Sequence, residues 1–477
     1  MRQFFSTDGP FNLVLGIVND ALWTYVLMGA LIVCGLWFTL RMGFVQFRLL
    51  GDMFRMLKES PRSARDTKGK HVSSFQAFCV SLASRVGTGN LAGVATAIAV
   101  GGPGSVFWMW LIALIGAATS FVESTLAQLF KQRGGESFVG GPAYYIRKGL
   151  GSRWMAALFA VLITLTFGLA NNSVQTNTIC GAIEHTFGVQ PMVMGTVIAL
   201  LTLVIVFGGI QRIAHVSSVV VPLMAVGYLL LAIVVVVMNW RLVPDMLRLI
   251  VENAFGVNQA IGGTVGAAMM NGVKRGLFSN EAGEGSAPNA AATATTSHPV
   301  KQGLIQSLGV FTDTLVVCSC TAFIILLSGL YNTPGLNGIN LTQAALQHEV
   351  GSVGPVFVAV AIFLFAFSSI IGNYYYGEAN VLYLTRNRTV MTVYRLLSGG
   401  AFVLMGAALT LDVVWNIIDL CMALLTACNL TAIVLLGKYT FRLLDDYCRQ
   451  RRSGISDPQY HRSTIPELRD VTECWPE

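Results

Sequence analysis

The sequence predicts an all-α integral membrane protein of eleven transmembrane helices, and three observations carry that expectation. Of 477 residues, 54% are hydrophobic and only 12% charged, with a mean hydropathy of +0.63; a soluble domain carries about 25% charged residues. Apolar runs of about 20 residues, the length that crosses a bilayer, follow one another at short intervals. The chain also has 49 glycines, which suit membrane helices because small residues permit close packing. The composition argues against a cytosolic enzyme, a disordered protein and a nucleic-acid-binding module. A formal charge of +7 is explained most simply by basic loops on one side of a membrane.

The apolar runs fall at 21–40, 73–100, 104–130, 153–181, 191–208, 215–239, 260–279 with a continuation past 285, 302–330, 353–384, 391–409 and 412–437. Ahead of the first, Met1 to Asp20 holds only Arg2 as a basic residue, so it lacks the basic region of a signal peptide. After the first run come Arg48, Arg55, Lys58, Arg62, Arg65, Lys68 and Lys70; after the third, Lys131, Arg133, Arg147, Lys148 and Arg153. Arg212 follows the fifth and Lys301 the seventh. Arg386, Arg388 and Arg395 follow the ninth, and Arg449, Arg451 and Arg452 the eleventh. Eleven spans put all of these on one side, with the N-terminus outside and the C-terminus inside. The expected organisation is an extra span and basic segment over 1–72, a five-helix repeat over 73–240, a second over 241–437, and a cytoplasmic tail over 438–477. No C-x-x-C pair occurs among the nine cysteines, most of which lie in apolar runs, so neither a disulfide framework nor a zinc site is expected.

Two runs contain stretches that a continuous helix disfavours. The second is interrupted by Ser84-Arg85-Val86-Gly87-Thr88-Gly89-Asn90, and the seventh by Phe278-Ser279-Asn280-Glu281-Ala282-Gly283-Glu284-Gly285-Ser286-Ala287-Pro288-Asn289. Unwinding a helix inside a membrane frees carbonyl oxygens that coordinate Na⁺ and N–H groups that attract a carboxylate. A zwitterionic amino acid with a co-transported cation fits such a site. Glycine packing explains the first stretch less well, because it leaves Arg85 and Asn90 without a reason; the second is also readable as a helix end at the membrane surface. Each break opens a set of five spans. Five being odd, the two sets run in opposite directions, which is an inverted repeat.

Further polar groups lie in the ninth span, where Ser368 and Ser369 offer hard oxygen donors or else bond to their own helix, and in the fourth, with Asn171, Asn172 and Gln175. Among buried charges, Lys274-Arg275 is read as pairing with Glu281 or Glu284. Asp313 and Glu123 are the candidates for proton coupling. No H-E-x-x-H or Gly-x-Ser-x-Gly motif occurs, so no enzyme is expected.

At these residues the chain resembles the alanine or glycine:cation symporter family over nearly its whole length. The resemblance is carried by Ser74-Phe75-Gln76-Ala77, Val86-Gly87-Thr88-Gly89-Asn90-Leu91-Ala92-Gly93, Gly101-Gly102-Pro103-Gly104, Gly140-Gly141-Pro142, Val174-Gln175-Thr176-Asn177, Phe278-Ser279-Asn280-Glu281-Ala282-Gly283 and Tyr375-Tyr376-Gly377-Glu378. It implies a multi-pass protein of the bacterial inner membrane that carries small neutral amino acids with Na⁺, or less readily H⁺. It needs no further cofactor and no partner besides substrate, ion and lipid bilayer, and works as a monomer. It also implies the leucine-transporter-like 5+5 fold of the amino acid–polyamine–organocation superfamily with one extra N-terminal helix. By the same resemblance, the carbonyls of Ala83, Val86 and Phe365 and the hydroxyls of Ser368 and Ser369 hold Na⁺. Thr88 and Gly89 take the substrate carboxylate, Asn90 beside them belongs to the substrate site, and Gln175, Phe278, Ser279 and Asn280 line the rest of the pocket. Alanine-transporting members carry Trp where this chain has Asn373. A smaller, polar residue there predicts a roomier pocket that accepts glutamine. Arg85 is read either as a partner of Glu281 or as a group favouring an anion.

Overall fold

Helix 74–85 starts where its sequence says it should: Ser73 accepts from the Gln76 amide at 3.1 Å while the Gln76 side chain accepts from the Ser73 amide at 2.9 Å, a reciprocal cap. It stops at Val86, whose backbone is extended, and helix resumes only at Gly89. The computed structural model describes residues 10–58, 72–134, 137–256, 265–408 and 412–477. Arg62, Arg65, Lys68 and Lys70 of the first basic segment, and 260–264 of the seventh expected span, lie outside the described residues, as does the side chain of Asp412.

We label the membrane-type helices in chain order. They are α1 (Leu13–Arg41), α2 (Ser74–Arg85), α3 (Gly89–Gly101), α4 (Ser105–Leu129), α5 (Arg153–Phe187), α6 (Pro191–Val206), α7 (Gly209–Met238), α8 (Val265–Asn280), α9 (Pro299–Ser328), α10 (Val353–Leu384), α11 (Arg388–Ala408) and α12 (Asn416–Arg452). Shorter helices, including Val243–Ala254, Ala287–Ala291 and Gly338–Val350, connect them.

Eight of these are long and apolar enough to cross a bilayer, and this corrects the expected eleven spans. The remaining three expected segments are not among these eight. The second is split between α2 and α3 by the Val86–Thr88 break. The seventh is described only from Val265, and its helix ends at Asn280, where Glu281 turns left-handed at φ 55°. The fifth folds as a 16-residue helix.

α4 and α9 form the centre, packed on each other and on α8. From Phe365 to Val381 every residue of α10 is buried. α7, in contrast, exposes Leu223 and Leu230, as expected of a helix that faces lipid. Close approach depends on small residues. A Cβ at Gly104 would lie 2.5 Å from the Ala254 amide, and one at Gly406 would strike the Ser173 carbonyl.

The C-terminal residues close one end of the bundle. The Trp475 indole donates to the Gln128 and Leu129 carbonyls at 3.2 Å, capping α4 from outside. The Tyr460 amide donates to Ser297 O at 2.9 Å, Asp457 pairs with Lys301 at 2.5 Å, and Glu473 pairs with Lys148 at 3.2 Å. Beneath Trp475 lies Lys131. Its ammonium sits 4.4 Å from the indole and 4.2 Å from the Phe138 ring, and donates to Gln128 Oε1 and Ala294 O.

Candidate functional site

The break between α2 and α3 lies against α10. There Ser369 Oγ is 2.9 Å from Ala83 O, 3.2 Å from Val86 O and 3.1 Å from Phe365 O, and Ser368 Oγ is 2.8 Å from Phe365 O and 3.4 Å from Ala83 O. Val86 O is available because the extended backbone turns it out of the helix. Each hydroxyl owns one hydrogen, so two hydrogens serve three carbonyls in a fully buried niche. An oxygen cluster short of hydrogens is suited to a hard cation. Space around it is tight: a Cβ at Gly87 would strike Ser369 Oγ and stand 2.7 Å from Gln175 Oε1.

One residue further on, the Thr88 amide and hydroxyl both donate to Gln175 Oε1, at 2.9 and 2.8 Å. Gln175 is held in turn by Asn171 Oδ1, at 3.2 Å. Gly89 leaves room for α8; a Cβ there would sit 3.2 Å from the Phe278 ring and 3.3 Å from Ser279 Cα. The structure therefore gathers Thr88, Gly89, Gln175, Phe278 and Ser279 at one place beside the oxygen niche.

Asn90 and Asn280 are placed differently from Thr88 and Gly89. Asn90 accepts from the Gly87 amide at 2.9 Å and donates to Asp313 Oδ1 at 2.7 Å. Asn280 accepts from the Ala282 amide at 3.0 Å and donates to Thr314 Oγ1 at 3.2 Å. Both amides are used at each end to brace the two breaks. Asp313 is the hub, accepting also from Ser279 Oγ at 2.8 Å and Thr314 Oγ1 at 2.9 Å. As an ionisable residue in an apolar run it was visible in the sequence; its hub role was not.

Asn373 reaches the same region from α10. Its Oδ1 is 2.6 Å from Ser84 Oγ, and its Nδ2 is buried with no partner. Ser84, at the start of the first break, also lies 2.9 Å from Glu281 Oε1. Nothing in its residue type or spacing signals that contact. Arg85 donates to Gln306 O and Ser120 Oγ, at 3.1 and 3.2 Å, rather than to Glu281. Lys274 pairs with Asp419 at 2.5 Å, not with Glu281 or Glu284 as expected. Glu123 accepts from the Gly283 amide and from Asn429, so it clasps the second break.

A model of the sodium:alanine symporter family matches residues 10–462. The chain belongs to the sodium:alanine symporter family. It is 51% identical over 463 residues to the probable sodium/glutamine symporter GlnT of Bacillus subtilis (strain 168), covering 97% of this chain and 96% of that protein. Identity to the amino-acid carrier protein AlsT of the same organism is also 51%, over 98% of each. The sodium/alanine symporter AgcS of Methanococcus maripaludis is 37% identical over 90% of this chain and 95% of its own. Among solved structures, a manganese transporter mutant from Eremococcus coleocola aligns with a TM-score of 0.50 at 13% identity, covering 84% of this chain and 85% of that one.

That likeness speaks to fold alone. Together with the eight long helices, it replaces the leucine-transporter-like 5+5 description, the extra-helix count and the place in the amino acid–polyamine–organocation superfamily. For this member of the symporter family the architecture is an all-α, multi-pass membrane fold like that of the manganese transporter.

Proposed function

We propose that the protein is a sodium-coupled symporter of small neutral amino acids that works by alternating access and accepts glutamine as well as alanine and glycine. The observation that carries the reading is the hydrogen-poor oxygen niche of Ala83, Val86, Phe365, Ser368 and Ser369, two residues from Thr88 along the chain. Na⁺ takes the place of the missing hydrogens there. The substrate carboxylate replaces Gln175 Oε1 as acceptor for the Thr88 amide and hydroxyl, with Gly89 letting it approach the backbone. Phe278 and Ser279 line the pocket; Asn90 and Asn280 keep the broken segments in shape around it. Membership of a symporter family and 51% identity to a probable sodium/glutamine symporter support the coupling and the wider substrate range.

The unpartnered Nδ2 of Asn373 supports glutamine specifically. A buried donor without a partner costs about 1–3 kcal/mol, and a side-chain carbonyl of glutamine relieves that cost where alanine does not. Lys131, Lys148 and Lys301, gathered against the tail, support an inner-membrane location with residues 438–477 on the cytoplasmic side. No covalent step is involved, and one chain holds every group named. The test is uptake of labelled alanine and glutamine by proteoliposomes of the purified protein, with Na⁺ or with choline at constant pH. Uptake that survives in choline overturns the sodium coupling.

A further inference from the structure

The second break is a turn of unusual charge. The Glu284 amide donates to Glu281 O at 3.3 Å, with Glu281, Gly283 and Gly285 all at positive φ. Three carboxylates meet there. Glu281 accepts from Ser84 Oγ and from Ser286 Oγ. Glu123 accepts from the Gly283 amide at 3.3 Å and from Asn429 at 2.8 Å, and Asn429 also holds Gly283 O at 2.8 Å. Glu284 is 1% exposed, yet no donor reaches either of its oxygens.

The charged groups that bear on Glu284 are Glu281, Glu123, Asp419 and Arg85. Asp419 is taken by Lys274 and Arg85 by Gln306 and Ser120. Near Glu123 the titratable neighbours are Tyr145, on Asn429, and Cys34; near Glu281 there are Tyr376 and Asp313. An ionised carboxylate with no cation and no donor is not sustained in a dry interior; it takes up a proton instead.

We propose that Glu284 is a proton-binding site of the transport cycle, neutral as a carboxylic acid in the closed state and exchanging its proton with water on the side to which the site opens. No other bond changes. The proposal rests on the symport reading, and the structure supplies a route by which substrate would sense the proton. Ser84 has one hydroxyl hydrogen and two acceptors, Glu281 Oε1 and Asn373 Oδ1. Ionising Glu284 places a further negative charge beside Glu281, and this changes how the single Ser84 hydrogen is shared between Glu281 Oε1 and Asn373 Oδ1, and hence which end of the Asn373 amide is left for substrate. Proton and substrate affinities are then reciprocally linked.

Two measurements on the purified 477-residue protein test this. The first is the apparent affinity for alanine and glutamine at saturating Na⁺ as pH is varied between about 5 and about 8. The native protein changes severalfold, Glu284→Gln is flat, and Glu284→Asp recovers the dependence. The second is infrared spectroscopy without substrate, where the native minus Glu284→Gln difference spectrum carries the carbonyl band of a buried carboxylic acid. Superimposable pH profiles for native and Glu284→Gln protein overturn the proposal, and so does a difference spectrum without that band. If the native protein takes up neither amino acid, the symport reading has failed, and the infrared band still decides whether Glu284 holds a proton.

Discussion

Ser369 contributes one hydrogen to an environment of three carbonyl oxygens. Removing its oxygen in Ser369→Ala deletes a cation ligand while leaving the small side chain in place. The Na⁺ concentration for half-maximal uptake should rise about tenfold or more, as expected for a hydrogen-bond-strength contact to a charge; an unchanged sodium dependence would remove Ser369 from the ion site. Asn373→Trp fills the pocket and deletes the orphan amide together, so glutamine uptake should fall at least about tenfold relative to alanine. Competition assays with the two amino acids read that ratio directly. At this scale the sequence was legible where chemistry was conspicuous. Paired hydroxyls, an intramembrane Asp313 and a small polar residue in place of a bulky one all announced themselves. Ser84 did not, because its importance comes from standing between Glu281 and Asn373, 197 and 289 positions away in the chain. Nor was the bracing role of Asn90 and Asn280 legible, since an Asn lining a pocket and an Asn pinning a loop look identical until both ends of the amide have partners.

For elements, the decisive feature is that a broken helix works only if its neighbours come close. Gly87→Ala pushes a methyl group into Ser369 Oγ and to 2.7 Å from Gln175 Oε1, so both oxygens must shift from the positions that build the niche and hold Thr88. Uptake should be lost while the purified protein still elutes as a single folded species by size exclusion. Gly227, in the lipid-facing α7, has nothing within 4 Å of its would-be Cβ. Gly227→Ala should leave transport intact and raise thermal stability slightly, by up to about 1 kcal/mol. The positions of both breaks were readable from their glycines and asparagines. The number of spans was not. Hydropathy counts apolar length, but cannot tell one long helix from two halves offset by an extended residue such as Val86, or from a 16-residue helix like α6.

For the whole molecule, the tail binds the tail-side ends of α4 and α9 together, through Trp475 on Gln128 and Leu129 and through Asp457 on Lys301. Lys131 is trapped beneath it. Burial pushes its ammonium down from the ordinary 10.5 to about 7, with Cys474 acting weakly in the other direction, while two oxygen acceptors and two ring faces favour the charged form. Between about 7 and 10.5 the folded protein therefore binds fewer protons at this site than the unfolded chain does. Stability should rise with pH across that window and level off below it. Lys131→Met should lack this component in thermal unfolding curves recorded in detergent; identical pH slopes for the two proteins would show that the tail does not desolvate the ammonium. None of this was legible in the sequence, where residues 438–477 read only as a short polar segment, because the partners of the tail stand far from it in the chain, 156 positions away at Lys301 and 347 at Gln128.

The burial of Trp475 under that strap has an optical consequence. Its indole is 5% exposed and both of its acceptors are carbonyls at the end of a central helix. Any rearrangement that parts the tail from α4 must wet the ring, and a wetted indole emits at longer wavelength. The difference in fluorescence between native protein and Trp475→Phe thus becomes a built-in gauge of opening at this end. It should redden when the bundle opens there and hold steady when substrate and Na⁺ lock it shut.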